Sequence, residues 1–171
     1  MKSDRMVTED LAAMRRYALA LARDDADADD VVQDALVRAI ERHSTFAPER
    51  SRRRWLLAIV HNVFISRKRR EAAEARRDGR FAEALLESLD PEQEQVARLN
   101  EVARAFAALP AQQRAALHLV AVEGLNYQEA ADVLGVPIGT IMSRLSRARA
   151  ALRERDDAGP ALRIVRGQDD E

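Results

Sequence analysis

The sequence predicts an all-α protein built from two small helical domains joined by a linker. Helix-forming residues dominate the 171 positions, and only six glycines and five prolines interrupt them. Apolar residues recur at three- and four-residue spacing up to about residue 70 and again from residue 93. The charged, weakly periodic stretch between them is typical of a linker. We therefore expect domains at 1–70 and 93–155, a linker at 71–92 and a frayed tail at 156–171.

Three amphipathic helices are predicted in the first domain. Thr8 is placed to cap the first helix and Asp27 to cap the second. The residues expected on the buried faces are Leu11, Met14, Ala18 and Leu21, then Val32, Leu36, Ala39 and Ile40, then Trp55, Leu56, Ile59, Val60, Val63 and Phe64. Three helices of this size can just close a hydrophobic core.

The second domain carries a helix, a tight turn and a second helix. Asn126 and Glu129 have the spacing of a capping box, Gly135 suits a left-handed helix end, and Pro137 suits the first turn of the next helix. The residues of the next helix that share an apolar stripe are Ile138, Ile141, Leu145, Ala148 and Leu152, and those of a separate polar stripe are Thr140, Ser143, Arg144 and Arg147. This pattern is typical of the DNA-binding helix-turn-helix, or alternatively of a helical hairpin with a solvated basic face.

Charge is segregated along the chain although the net charge is only −1. The segment from Asp24 to Asp34 is acidic, whereas the segment from Arg50 to Arg70 is basic and contains no acid. The second helix of the predicted helix-turn-helix is also free of carboxylates, which would repel DNA phosphates. These blocks indicate two nucleic-acid faces and at least one protein-facing surface.

Composition argues against several other classes of protein. The absence of cysteine excludes disulfides and thiolate metal sites and suits a reducing cytoplasm. The first residues lack the apolar core of a signal peptide, and no apolar run approaches membrane-spanning length. An enzyme is the least favoured class, because the three histidines, His43, His61 and His118, have unrelated spacings and no glycine-rich phosphate loop is present. We expect no catalytic residue, metal or cofactor.

Three motifs, in this order, resemble those of the extracytoplasmic-function (ECF, group 4) sigma factors of bacterial RNA polymerase. "DADDVVQDALVRAI" resembles region 2.2, "RRWLLAIVHNVFISRKRR" resembles regions 2.3 and 2.4, and "ALPAQQRAALHLVAVEGLNYQEAADVLGVPIGTIMSRLSRARAAL" resembles region 4. They span the chain from about Leu11 to Leu152. The resemblance implies a region 2 bundle of three or four helices followed by a region 4 helix-turn-helix. It also implies an alternative sigma factor that directs promoter-specific initiation and that an anti-sigma factor holds inactive, monomeric when free of partners.

The resemblance assigns roles to the surface residues of both domains. The residues that it places on the β′ clamp helices of core RNA polymerase are Asp30, Gln33, Asp34, Val37 and Arg38. Those that it places near the melted −10 element are His43, Phe46, His61, Asn62, Ser66, Arg67, Arg69 and Arg70, with Lys68 among them. Those that it places on the duplex −35 element are Thr140, Ser143, Arg144, Arg147 and Arg149. The helices around 114–123 are expected to meet the β flap.

Some of these roles have alternatives. Phe46 can be a hydrophobic plug or a stacking surface, and Asn62 can bind an unstacked base or satisfy a backbone group. Trp55 is expected in the core. Met142 stands where many family members carry a basic residue, which removes one possible DNA contact.

Two other functions compete with a sigma factor. A sigma-like mimic (an anti-anti-sigma protein) would share these helices but usually carries a receiver domain, for which we see no segment after residue 152. A plain helix-turn-helix regulator would leave the acid-free segment from Arg50 to Arg70 unexplained. We also expect the two domains to move relative to each other in the free protein, because the linker has few large apolar residues.

Overall fold

The protein folds into seven α-helices and one 3-10 turn in the part of the chain that the structure, a computed structural model, describes. The described backbone covers residues 2–47, 49, 51–77 and 94–156, and side chains are described there except at 2–6, 94–100, 155 and 156. The helices are α1 (Lys2–Ala22), α2 (Asp25–Glu41), α3 (Arg52–Arg77), α4 (Glu94–Ala107), α5 (Ala111–Ala121), α6 (Tyr127–Leu134) and α7 (Ile138–Asp156), and the 3-10 turn is His43–Thr45. The all-α prediction is confirmed, with no strand among the described residues.

The predicted linker and tail fall mostly outside these residues. Residues 71–77 continue α3 past the predicted end of the first domain, and 78–92 are not described. Of the predicted tail, only Asp156 is described, as the last residue of α7.

The first three helices pack on one another around a shared core. Tyr17 of α1, Val31 of α2, and Leu57 and Val60 of α3 are almost fully buried in it. The cap of α2 is Asp24 and not Asp27, because the Asp24 backbone is extended and its side chain accepts a hydrogen bond of 2.9 Å from the Asp27 amide. The cap predicted for α1 was also wrong.

Thr8 lies inside α1 instead of capping it. The helix already begins at Lys2, and no proline or glycine between Lys2 and Thr8 stops it. The apolar side chains of α1 still lie mostly on one buried face of the helix. Met14, Ala18 and Leu21 are buried as predicted, whereas Leu11 is 42% exposed.

The buried face of α2 is rotated from the predicted one. Its buried residues are Ala28, Val31, Val32, Ala35 and Ala39. Leu36 and Ile40 were predicted inward but are 37% and 76% exposed. Small alanines on the inner face let α2 approach α1 and α3 closely, and the larger side chains remain outside.

The predicted helix-turn-helix is present in α6 and α7. Asn126 accepts a hydrogen bond from the Glu129 amide at 2.9 Å, and the Glu129 carboxylate accepts one from the Asn126 amide at 3.0 Å. Gly135 ends α6 with φ 63°, a left-handed conformation that glycine adopts without a Cβ clash. Ile141 and Leu145 then anchor α7 in the core.

Two apolar positions of the second domain differ from the prediction. Ile138 in the first turn of α7 is 39% exposed, and Val102 of α4 is 53% exposed. Val96, Leu99 and Val102 recur at three-residue spacing, which predicts one apolar face, but the side chains of Val96 and Leu99 lie outside the described residues. No helix in the described ranges combines the length and apolarity needed to cross a membrane.

The two domains pack against each other, contrary to the expectation of weakly connected modules. α5 packs on α1 and α6 packs on α3. A single hydrophobic cluster includes residues of all four helices, among them Leu21, Val60, Leu119 and Ala131. The linker has few large apolar residues, but the two domains are joined by the packing of their own helices.

Candidate polymerase and nucleic-acid interfaces

The outer face of α2 combines acids with exposed apolar side chains. Asp30, Gln33, Asp34 and Val37 are exposed, and Arg38 is half-buried. Arg67 of α3 lies 3.4 Å from a carboxylate oxygen of Asp30 and 3.7 Å from one of Asp34, so it is tied to this face and not free to point elsewhere.

An apolar patch on the same helix extends this face. Leu36, Val37 and Ile40 are 37%, 55% and 76% exposed and lie within one helical turn. Adjacent exposed apolar side chains of this kind commonly mark a protein-binding surface. Sequence reasoning missed Leu36 and Ile40 because they had been placed in the core.

The outer side of α3 presents polar and basic groups along its second half. Asn62, Lys68, Arg69 and Arg70 are exposed, and Ser66 is half-buried. The Lys68 ammonium lies 2.7 Å from a Glu71 carboxylate oxygen and 5.8 Å from the centre of the Phe64 ring. Asn62 and the two arginines have no hydrogen bond or ion pair within the described residues, so they are available to a ligand.

His61 occupies a different environment from its neighbour Asn62. Its Nδ1 lies 3.1 Å from the Tyr17 hydroxyl, and the two rings are stacked with centres 6.3 Å apart. Burial, and to a smaller extent the Arg144 guanidinium, lowers the pKa of His61 to about 4. The ring is therefore neutral at neutral pH and supplies no charge for a phosphate.

The predicted base-capturing loop contains an aromatic pair. Phe46 follows the 3-10 turn and lies with its ring centre 5.3 Å from that of Trp55, at 49°. Both side chains are half-buried, while His43 is exposed. Phe46 thus covers Trp55 and still presents part of its ring.

The recognition helix α7 divides its polar residues between two environments. Ser143, Arg147 and Arg149 are exposed, and Arg147 has no ion pair within the described residues. Thr140 is half-buried, and its carbonyl accepts a hydrogen bond of 3.0 Å from the Ser143 hydroxyl. No carboxylate occurs in α7 before Glu154.

Arg144 differs from the other predicted −35 residues. Its guanidinium donates a hydrogen bond of 3.0 Å to the Gln112 side chain of α5. Burial lowers the pKa of Arg144, whereas the nearby Tyr17 hydroxyl raises it. In this arrangement Arg144 therefore faces the first domain and not the outer surface of α7.

Several of the predicted −10 residues and one predicted −35 residue, Arg144, line the same cleft. Asn62, Ser66 and Arg69 of α3 form one wall, and Arg144 with the Gly135 turn forms part of the other. The cleft has a volume of about 560 Å³, which is the share of roughly twenty water molecules. Duplex DNA does not fit into this space.

A buried arginine joins the domains beside the cleft. Arg114 of α5 donates hydrogen bonds to the Ala20 carbonyl at 2.8 Å and the Leu21 carbonyl at 2.9 Å, near the end of α1. It also donates to the carbonyls of Ala107, at 3.2 Å, and Leu109. Burial lowers the pKa of Arg114 to about 10, so the guanidinium remains charged at neutral pH. It therefore satisfies carbonyls at the ends of two helices.

A second cross-domain cluster surrounds Glu123. The Glu123 carboxylate is buried and accepts three hydrogen bonds from Arg16 of α1, the shortest at 3.0 Å. His118 Nε2 lies 3.3 Å from the same carboxylate, and its ring stacks on Tyr17 with centres 5.4 Å apart. The segment expected to meet the β flap, 114–123, thus directs these side chains to the first domain instead.

No metal site accompanies these surfaces in the residues that the structure describes. Three histidine or carboxylate side chains do not converge anywhere within those ranges as a bound ion would require. The groups present are hydrogen-bonding and cationic, which is the chemistry of nucleic-acid contacts.

Comparison with known proteins finds a matching family in each of the two domains. The family "Sigma-70 region 2" matches residues 6–74, and "Sigma-70, region 4" matches residues 99–152. The chain is 37% identical to the ECF RNA polymerase sigma factor EcfG of Rhodopseudomonas palustris, over 82% of this chain and 77% of that protein. It is 38% identical to the probable RNA polymerase sigma-C factor of Mycobacterium bovis, over 78% and 72%.

A solved structure extends the likeness to the arrangement of the whole chain. The sigma factor RpoE of Bartonella quintana, crystallised in complex with the anti-sigma factor NepR, is 32% identical. The match covers 93% of this chain and 99% of that chain with a TM-score of 0.76.

Proposed function

The chain belongs to the extracytoplasmic-function group of the sigma-70 family of RNA polymerase sigma factors, and we propose that it acts through three surfaces of its own. As a sigma factor it binds core RNA polymerase and directs transcription initiation at specific promoters. Its site of action is then the cytoplasm, where polymerase and DNA are. The domain boundaries that we propose are 1–70 for region 2 and 93–155 for region 4.

The first surface is the outer face of α2, which docks on the β′ clamp helices. Asp30, Gln33, Asp34 and Arg38 supply its polar part, and the exposed Val37, Leu36 and Ile40 supply its apolar part. An apolar centre with a charged rim is the usual composition of a protein interface.

Replacing Ile40 with Ser is expected to weaken core polymerase binding by about 2 kcal/mol, the gain from burying one such side chain. Because Ile40 is 76% exposed in the free protein, the fold is expected to tolerate the change. A competition assay for core polymerase measures the effect. Val102→Ser is the matched control, since Val102 is 53% exposed on α4, away from this face and outside the segment expected on the β flap. Equal losses for the two variants would contradict the assignment.

The second surface lies on α3 and the preceding turn and holds the melted −10 strand. The exposed Asn62 carries both a donor and an acceptor for a base edge, and Arg69 and Arg70 carry charge for the displaced strand. Phe46 and His43 are placed to stack on a base. Ser66, His61 and Arg67 support this surface, the last two through their contacts with Tyr17 and α2.

The third surface lies on α7 and reads the −35 duplex. The observation that carries the proposal is the exposed, acid-free face of a recognition helix held by a complete helix-turn-helix. Ser143 and Arg147 face outward at its centre and Arg149 flanks them, while Thr140 lies at its edge. Arginine at such a position commonly binds guanine edges in the major groove.

We further propose that the closed arrangement is the free and anti-sigma-bound form. Arg144 and Asn62 line one cleft that is too small for duplex DNA, so Arg144 reaches the −35 duplex only after the domains separate. An anti-sigma factor that prefers the closed form shifts the equilibrium towards it by its differential affinity.

Run-off transcription tests the function as a whole. Core polymerase with this protein is expected to give discrete transcripts from a genomic template library, and core polymerase alone is not. Binding to DNA without polymerase, and no transcripts with it, would favour a plain helix-turn-helix regulator. Binding of an anti-sigma factor without transcripts would favour a sigma-like mimic.

A further inference from the structure

An apolar strip runs along one side of the recognition helix and has no role in the core. Met142 is 50% exposed and Ile138 is 39% exposed. Gly139 between them is also exposed. At about 100° per residue, the three positions fall within roughly 100° of one another. Ser143 follows on the next sector of the helix surface, so the strip borders the polar face of α7.

The glycine in this strip is not required by the fold. A Cβ built on Gly139 would meet nothing within 4 Å, and its backbone does not have the positive φ that favours glycine at Gly135. Glycine inside a helix is less favourable than alanine. An open position of this kind lets an external surface approach the backbone closely.

The strip is flanked by positive charge, which favours DNA binding. Arg149 and Arg153 project from the same side of α7 further along the helix, and both are exposed. At about 100° per residue they fall within roughly 60° of Ile138. Residues at the start of a recognition helix contact base edges in the major groove, where cations beside them meet phosphates.

We propose that Met142, with Ile138 and the open backbone at Gly139, binds the C5-methyl group of a thymine in the −35 element. The thymine methyl is the apolar group that the major groove presents, and apolar side chains recognise it. Met142 therefore gives an apolar contact to thymine in place of the DNA contact that a basic residue would make. This inference rests on the proposed function of α7.

Uracil substitution isolates the methyl group. The −35 sequence is first selected from a random library with the holoenzyme, and each thymine on either strand is then replaced by deoxyuridine. For one thymine we expect holoenzyme binding to weaken about fourfold, the effect of one buried methyl group. The Met142→Ala holoenzyme is expected to bind the two templates equally. Arg147→Ala is the matched control and is expected to keep the sensitivity to uracil.

The outcomes separate this inference from the function on which it rests. If the holoenzyme selects no −35 element, the proposed function of α7 is wrong. If it selects one that has no uracil-sensitive thymine, or if Met142→Ala keeps the sensitivity, only the methyl contact is wrong. If Met142→Ala instead lowers affinity for core polymerase, the strip is a protein contact and the proposal is overturned.

Discussion

Arg114→Met is expected to lower the free energy of unfolding by about 3 kcal/mol, because it leaves buried carbonyls without a donor. Arg114 is 5% exposed and donates to four carbonyl oxygens, two of them at the end of α1. Methionine keeps most of the apolar stem and removes the guanidinium. Urea unfolding of the full chain measures the change.

Arg23→Met is the control for this substitution. Arg23 also crosses between the domains, but it is exposed and donates a single hydrogen bond of 3.0 Å to the Ala107 carbonyl. We expect its loss to cost less than about 1 kcal/mol. Small-angle scattering of Arg114→Met is expected to show a larger radius of gyration than that of the unchanged protein. A cost as small as that of Arg23→Met, with an unchanged radius, would show that the Arg114 contacts do not hold the domains together.

Arg147→Ala is expected to weaken holoenzyme binding to the promoter by about 1–3 kcal/mol, the discrimination carried by one bidentate arginine contact. The preference at one −35 base pair is expected to relax at the same time. Arg147 is exposed and outside the core, so the change leaves the fold intact. Affinities for a set of single-base −35 variants measure both effects. A uniform loss across all variants would assign Arg147 to a phosphate instead.

Asn62→Ala is expected to differ from Arg147→Ala in the step that it affects. Its amide would contact an unstacked base, so −35 preference is expected to stay unchanged while the open complex becomes roughly tenfold less populated, the value of one good hydrogen bond. Binding to duplex −35 variants and opening of the same promoter measure the two steps separately. Equal losses of both steps in both variants would contradict the division of labour between α3 and α7.

Local signals predicted the parts of the fold that depend on nearby residues. The capping box of Asn126 with Glu129 and the left-handed Gly135 need only the residues of their own turn, and both are present. The periodicity of apolar residues likewise predicted the all-α class, the three helices of the first domain and the two of the helix-turn-helix, although α1 begins at Lys2 and Asp24 caps α2.

Rotation of a helix about its axis was harder to predict. Leu36 and Ile40 are four residues apart, as are Ala35 and Ala39, so α2 has two adjacent apolar stripes of the same period. Spacing cannot choose between them. Close packing against α1 and α3 favours the alanine stripe, which leaves the larger side chains for a partner.

Contacts between the domains had no local signal at all. The carbonyls that Arg114 binds on α1 lie 93 and 94 residues away along the chain. Arg114 was therefore expected only as part of a segment on the β flap, and the contact between Tyr17 and the His61 ring likewise had no signal in the sequence.

Permanganate footprinting of the holoenzyme on a promoter that it transcribes is the measurement that tests the central claim most directly. Unstacked thymines around the −10 element are expected to become reactive only when this protein and core polymerase are both present. With saturating protein, their reactivity is expected to fall in Asn62→Ala and to persist in Arg147→Ala. A stable complex in which no thymine becomes reactive, or full reactivity in Asn62→Ala, would contradict the account.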